Sequence, residues 1–481
     1  MKSIIESALD AARLAGATYA DARIVDTLHE GITVASGRVE GVESSASFGV
    51  GVRVIADGSW GFSATHDVTE KAAAECAARA VAIARASGRI PHAAVALSDV
   101  APVTDTWRGP GQIDPFSVPL EEKLDLLVAT DEAMRAASEF VKVTKASLGF
   151  YKVHKVFGSS LGSYIEQDWI ESGAGITAFA LGEDEVLPRS YPNSHTGSWM
   201  QAGWEFVTAL DLVANGPRIA QEAEALLSAP FVEPGKTDLI IDGSQVALQV
   251  HESIGHPTEL DRVLGDEAAF AGTSFLTLSD VGSLKYGSEI VNVTADATQP
   301  GSLGSFGYDD EGVPAQRTYL VRDGLFEGFL SSRESAVVLD ATSNGCMRAD
   351  GWNRTPLIRM TTISLEPGTW SLPDLIADTD DGLYIETNNS WSIDDKRLNF
   401  QFACEIGWKI ENGEFTGLVK SPNYTGITPE FWNSCDAVCS PEFWRMWGLP
   451  NCGKGEPMQT AHVAHGAAPA RFRGVSVGVG R

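Results

Sequence analysis

Apolar residues recur at three- and four-residue steps at the start of the chain (Ile5, Ala8, Leu9, Ala12) and then give way to strict alternation. The first pattern predicts an amphipathic helix, with Ser3 and Glu6 placed as a capping box and Gly16 as its stop. The second predicts half-buried strands over residues 22–28, 31–36, 48–56 and 60–64, with Asp57-Gly58 as a hairpin turn between the last two. A second helix is expected over 69–86, started by Asp67 and Glu70 and stopped by Gly88.

The same order then returns. Residues 88–116 are rich in Pro and Gly and read as a connector. A helix over 118–137 carries Pro119 in its first turn. Strand-like stretches follow at 141–156, 163–170 and 176–181, then a helix over 217–228. The first half thus states helix, strands, helix twice, without evident identity between the copies, and an internal structural repeat is expected. Residues 229–236, with Pro230 and Pro234, form the expected boundary. After it come a short buried-type strand at 237–241 and a helix over 243–256. Beyond residue 275 the pattern is almost all strand and turn, with Asp323-Gly324 and Asn412-Gly413 as hairpin signals. The expected fold class is α+β in two domains. Residues 1–230 form an N-terminal α/β domain with helices flanking sheets, and 236–481 form a C-terminal β-rich domain that carries the 243–256 helix.

A length of 481 residues fits two or three cores rather than one. Lys+Arg 36 against Asp+Glu 64 gives a net charge of -28, which argues against direct contact with nucleic acid. The first residues, Met1 to Glu6, contain no long apolar stretch of the signal-peptide kind, and no apolar run is long enough to span a bilayer. Six cysteines are sparse for this length and point to a reducing cytoplasm.

The chemistry concentrates in His251-Glu252-Ser253-Ile254-Gly255-His256. Two imidazoles with a carboxylate directly after the first is the layout of a hydrolytic zinc site. The spacing exceeds the common H-E-x-x-H by one residue. On a regular α-helix, residues five apart differ by about 140° and cannot aim at one metal, whereas a π-type turn brings them into register. Gly255 and Pro257 are read as the freedom and the stop that such a distortion needs. A catalytic zinc usually takes a third protein ligand. The candidates are Glu259, Asp261 and the distant Cys452, beside Lys454, whose cation would favour a thiolate. Cys435 and Cys439 with His462 and His465 could instead form a structural knuckle, although their spacing fits no common finger.

His251 to Asp261 resembles the H-E-x-x-x-H-x-x-E-x-D signature of the TldD half of the TldD/PmbA metalloprotease family. Agreement continues in Asp309-Asp310-Glu311-Gly312-Val313-Pro314, in the run Pro356 to Thr362, in Cys452-Gly453-Lys454 and in the stretch His465 to Phe472. The resemblance implies a zinc-dependent peptidase acting on unfolded or small peptides of leader or antitoxin type. It implies one Zn2+ per motif-bearing subunit, held by His251, His256 and Cys452, with Glu252 as general base. Glu259 and Asp261 are candidates to orient the histidines. The expected partners are a peptide and a second subunit, in a homodimer or a heterodimer with a PmbA/TldE-like chain, with no membrane and no direct nucleic acid. The alternative is a non-catalytic peptide-binding subunit of such a complex. Asn389-Ser390 departs from the Gly-Gly seen in many members.

Overall fold

The computed structural model describes residues 1–194, 197–270 and 272–478. In the first half, a single eight-stranded sheet is built around two long antiparallel strands, Tyr19–Ala35 and Val141–Ser159, paired from Asp21↔Ser159 to Ala35↔Lys145. Each belongs to one copy of the order expected from the sequence. Lys2–Leu14, three strands and Glu70–Ser87 make the first copy; Leu120–Ala137, three strands, a short excursion and Leu212–Ser228 make the second.

Alternation along Tyr19–Ala35 decides which face does what. The even positions Ala20, Ala22, Ile24, Ile32 and Val34 are buried in the two apolar clusters beneath the helix pairs. The odd positions Asp21 and Arg23 are equally buried but ionic, and they face the second half of the chain. The helices therefore cover one face, and the polar face is an internal interface.

Several local expectations are corrected. The first helix begins at Lys2 with Met1 as its cap residue and no side-chain cap, so Ser3 lies inside it. The strands expected at 22–28 and 31–36 are one continuous strand, and its partner spans Arg38–Ala56. Residues 42–48 of that partner are exposed throughout, so no hydrophobic alternation marked them. The connector contains a strand, Thr104–Arg108, that pairs in parallel with Tyr164–Asp168. The three hairpin signals are as read: Asp57-Gly58, Asp323-Gly324 and Asn412-Gly413 all have positive φ at both positions, as a tight primed turn requires.

In the second half, strands Asp381–Ile393, Gly235–Ile241, Ala470–Val477, Asn423–Ile427 and Asn399–Glu411 are bonded in that order. The last returns to the first, so the ladder closes into a ring. A second ribbon, Arg445–Lys454 with Gln459–Ala467, lies beside it. The helix Gly243–Val250 leaves the ring directly after Gly235–Ile241, capped by Asp242, whose carboxylate accepts from Ser244 N at 2.8 Å. It packs between the ring strand Asp381–Ile393 and the ribbon strand Gln459–Ala467, and Val246, Val250 and Ile254 belong to the large core of this half.

Candidate metal centre

The α-helix ends at Val250, and His251–Gly255 forms one π-helical turn in which His256 N–H donates to His251 O. This is the five-residue register that the spacing predicts. A π turn leaves carbonyls without their usual partners, and side chains satisfy them here. The Tyr286 hydroxyl donates to Ser253 O, and Thr258 Oγ1 lies 2.9 Å from both Ile254 O and Gly255 O. Gly255 has ordinary helical angles, φ -58 and ψ -62. It is needed for space instead of freedom, because a Cβ there would lie 2.2 Å from Met360 Sδ.

The turn places the two imidazole rings 4.7 Å apart, edge to face. Cys452 arrives from the ribbon strand Arg445–Lys454, and its Sγ lies 3.8 Å from His256 Nε2. The donor atoms of His251, His256 and Cys452 all fall within 4.8 Å of one another, and all three residues are buried. Tetrahedral zinc holds nitrogen and sulfur donors about 3.3–3.6 Å apart, so the three side chains would close in by up to about an ångström around such an ion.

Hydrogen bonds fix which nitrogens face inward. His465 Nδ1 lies 3.0 Å from Ile363 O, an acceptor only, so it donates there and leaves Nε2 as an acceptor. His251 Nδ1, 2.7 Å from that Nε2, must then donate to it. His256 Nδ1 donates to Glu259 Oε2 at 3.0 Å. Both metal-facing candidates therefore turn Nε2 toward the cavity, the nitrogen that a ligating imidazole would offer. Burial opposes a charge on Cys452, but His251, Arg359 and His256 outweigh it and hold the thiol well below its ordinary range. Burial likewise opposes charge on His251, which the Cys452 sulfur reverses. The pocket thus favours a thiolate.

Lys454 does not contribute to this. Its ammonium lies 2.8 Å from both Asp261 oxygens and 3.4 Å from Glu259; the neighbouring cation at Cys452 is Arg359, whose guanidinium donates to the Cys452 carbonyl. Glu259 thus meets His256 directly, and Asp261 connects to it only through Lys454. Glu252 points into the same cavity. Its Oε1 accepts from Trp391 Nε1 at 2.9 Å and its Oε2 from Arg397 Nη1 at 2.6 Å. Burial pushes its pKa up, but His256, His251 and Arg397 together bring it below the ordinary value.

Cys435, Cys439, His462 and His465 do not gather. The Cys435 sulfur is near Ala437 O, His462 bonds Glu171, and His465 backs His251. Among the described residues, His251, His256 and Cys452 form the one cluster suited to a metal. Cys76, Cys346 and Cys404 are buried and free. Sequence reasoning missed Trp391, Arg397 and the part His465 plays behind His251. The cavity that these groups line measures about 370 Å³, with Ala247, Leu248, Trp447 and Leu449 as its apolar wall.

A closed β ring carrying a buried pocket of two imidazoles and a thiolate, with a carboxylate at its side, defines a protein whose donor set suits a single soft transition metal. The chain belongs to the PmbA/TldD metallopeptidase family. Its residues 20–84, 113–229 and 234–478 match metallopeptidase domain 1, the central domain and the C-terminal domain of that family. A metalloprotease of Methanocaldococcus jannaschii is 30% identical over 87% of this chain and 89% of its own length. A protein of Saccharolobus solfataricus named a zinc metalloprotease TldD homolog is 24% identical over 96% of this chain and 97% of its own. Two crystal structures share the fold. A Thermotoga maritima protein described as a modulator of DNA gyrase superposes with TM-score 0.76 at 18% identity, covering 99% of each chain. TldE from Thermococcus kodakarensis superposes with TM-score 0.75 at 16% identity, covering 98% of this chain and 99% of its own. No helix among the described residues is long and apolar enough to cross a membrane.

Proposed function

We propose that this chain is a zinc-dependent peptidase of the HExxxH type, with one zinc per subunit held by His251, His256 and Cys452 and with Glu252 as general base. Residues 1–230 and 236–481 serve as its two domains. The observation that carries this reading is the convergence of three buried donors, 4.8 Å apart at most, beside an ionised carboxylate in one cavity. Zinc bound there would supply Lewis acidity toward a water and a peptide carbonyl.

The protein's own residues do the rest. The relay from Ile363 O through His465 holds His251 in one tautomer and one orientation, and Glu259 does the same for His256. Lys454 and Arg262 hold Glu259 in turn. The Cys452 thiolate places a full negative charge among the donors, which weakens the Lewis acidity available compared with three neutral imidazoles. More of the proton transfer then falls to Glu252, whose carboxylate takes a proton from the attacking water. The apolar wall of Trp447, Leu449 and Leu248 excludes bulk water and suits an extended, unfolded peptide. Such a peptide can add to a strand edge of the β-rich half. Leader-type or antitoxin-type peptides fit this mode, since main chain is read before side chain.

The name TldE on a structural neighbour, together with the family, supports assembly with a second subunit of this chain or of a PmbA/TldE-like partner. A cytoplasmic location agrees with six unpaired cysteines. The test is Glu252→Gln, with zinc content and hydrolysis of unstructured peptides measured on the same sample. Zinc is expected to stay stoichiometric while kcat falls by about 10²–10⁴. Undiminished hydrolysis removes Glu252 as base. Absence of zinc from the wild-type chain, alone and with partner, leaves a non-catalytic peptide-binding subunit.

A further inference from the structure

One hairpin of the ring supplies both hydrogen-bond donors to Glu252. Its arms are Asp381–Ile393 and Asn399–Glu411. Two irregularities in that hairpin aim the donors. The first is a bulge between Asn388 and Ser390. Side chains alternate along a strand, so Asn388 and Trp391, three apart, would face opposite sides. The extra residue resets the phase, and both line the cavity at the motif. Asn388 Nδ2 lies 3.2 Å from Gln245 Oε1, on the motif helix, and Trp391 Nε1 reaches Glu252. The second irregularity is Arg397, which sits in the left-handed region at φ 63. A long side chain there costs on the order of 1 kcal/mol, and the surroundings hold it in place. Asp394 accepts from Leu398 N at 2.8 Å and Asn399 N at 3.2 Å, Thr428 Oγ1 donates to Arg397 O at 2.8 Å, and Thr273 N and Phe275 N tie down Asp395 O and Lys396 O. The turn closed by Arg397 N–H donating to Asp394 O fixes this backbone, and with it the direction from which the guanidinium meets the proposed base.

We infer that Trp391 and Arg397 are positioning residues for Glu252: the hairpin grips one carboxylate oxygen each through the indole and the guanidinium, and so fixes the plane and direction in which the base meets water. Both oxygens are already engaged. When water arrives as a donor, the carboxylate keeps the two gripping bonds and accepts a third through a remaining lone pair, since each oxygen has two acceptor sites. This inference rests on Glu252 being the general base.

The test uses the full zinc-loaded chain, with its partner if activity requires one, and a quenched-fluorescent unstructured peptide. Trp391→Phe keeps the ring and removes the N–H; Arg397→Gln removes the charge; Arg397→Lys keeps it. Loss of one charge-assisted hydrogen bond lowers kcat by about ten-fold or more. The expected result is that Trp391→Phe and Arg397→Gln each lose kcat to that extent, with KM, zinc content and melting temperature near wild type, and that Arg397→Lys recovers part of the loss. In a Glu252→Gln background, neither substitution lowers the residual rate further. The inference is overturned if kcat is unchanged in both single variants, or if the loss lies in KM alone, or if it persists undiminished in the Glu252→Gln background. A Glu252→Gln enzyme that still hydrolyses peptides at the wild-type rate overturns the base assignment itself, a separate outcome read from the same set of variants. If Arg397→Gln does not fold, Trp391→Phe, which leaves the turn untouched, decides the matter.

Discussion

Two clusters of buried ionisable groups lie where the halves of the chain meet or close, and they are organised in opposite ways. At the polar face of the N-terminal sheet, Arg23 and Lys155 grip Asp310 at 3.0 and 2.8 Å, and Arg53 bridges Asp21 and Glu311 at 2.8 and 3.3 Å. Backbone N–H groups close the remaining valences, as when Asp310 accepts from Ala349 N and Glu311 from Arg333 N. At the metal centre the charges are not paired off in this way. The Nε2 atoms of two imidazoles, a thiolate and a carboxylate all converge on one cavity, and the hydrogen bonds that orient them run outward, to Ile363 O, Glu259, Trp391 and Arg397. Burial of charge alone therefore does not mark an active site. What differs is whether the acceptors face fixed donors or face a space.

That contrast can be broken most severely at the thiolate. Cys452→Ser is expected to abolish stoichiometric zinc binding, weakening it by more than about 100-fold, with the fold intact by circular dichroism; a variant that still titrates one tight zinc moves the third ligand elsewhere, to Glu259 first. At the paired cluster the expected loss is of stability instead. Asp310→Ala leaves Arg23 and Lys155 buried without their anion, which costs about 3–5 kcal/mol. Chemical denaturation should show that loss, while kcat of the remaining folded enzyme stays within a factor of about two. A selective loss of kcat there would mean that the two clusters are one functional unit.

A smaller effect is expected behind the metal. His465→Phe removes the acceptor for His251 Nδ1 and should weaken zinc affinity by about 10–100-fold, with His465→Gln, which keeps an acceptor, closer to wild type. The smallest effect concerns a third cluster, where Arg189 faces Glu222, Glu386 and Glu405 between the halves. Burial, only partly offset by Arg189, raises Glu386 to about 7. A folded pKa above the unfolded one contributes stability that is complete below the unfolded value and is lost as pH rises through the folded one. Melting temperature should therefore fall between pH 6 and pH 8 by a degree or so, about what 1 kcal/mol gives in a chain of this length, and Glu386→Gln should flatten that slope.

Much of this was legible in the sequence wherever a local rule determined the outcome. The five-residue spacing of His251 and His256 required a distorted helix, which is a π turn here, and Asp57-Gly58, Asp323-Gly324 and Asn412-Gly413 each lie at a hairpin. The repeat of helix, strands, helix appeared in the period of apolar residues. Among the candidates Glu259, Asp261 and Cys452, only the resemblance picked out Cys452, since no local pattern ties residue 452 to 251. What stayed hidden depends on pairing between distant strands. The exposed stretch 42–48 carries no apolar alternation to mark it as strand. Trp391 faces the site only because of a bulge, and Lys454, two residues after Cys452, reaches Asp261 instead of the sulfur. Gly255 was read as a flexible joint and proves to be a contact surface for Met360.

The central claim is that His251, His256 and Cys452 hold the metal. Anomalous scattering from crystals of the full chain, recorded on either side of the zinc absorption edge, tests it most directly. The account predicts one zinc peak about 2.0–2.3 Å from the Nε2 atoms of His251 and His256 and from Cys452 Sγ, on the cavity side of Glu252. A zinc-replete crystal with no peak there, or with its peak on other residues, would contradict it.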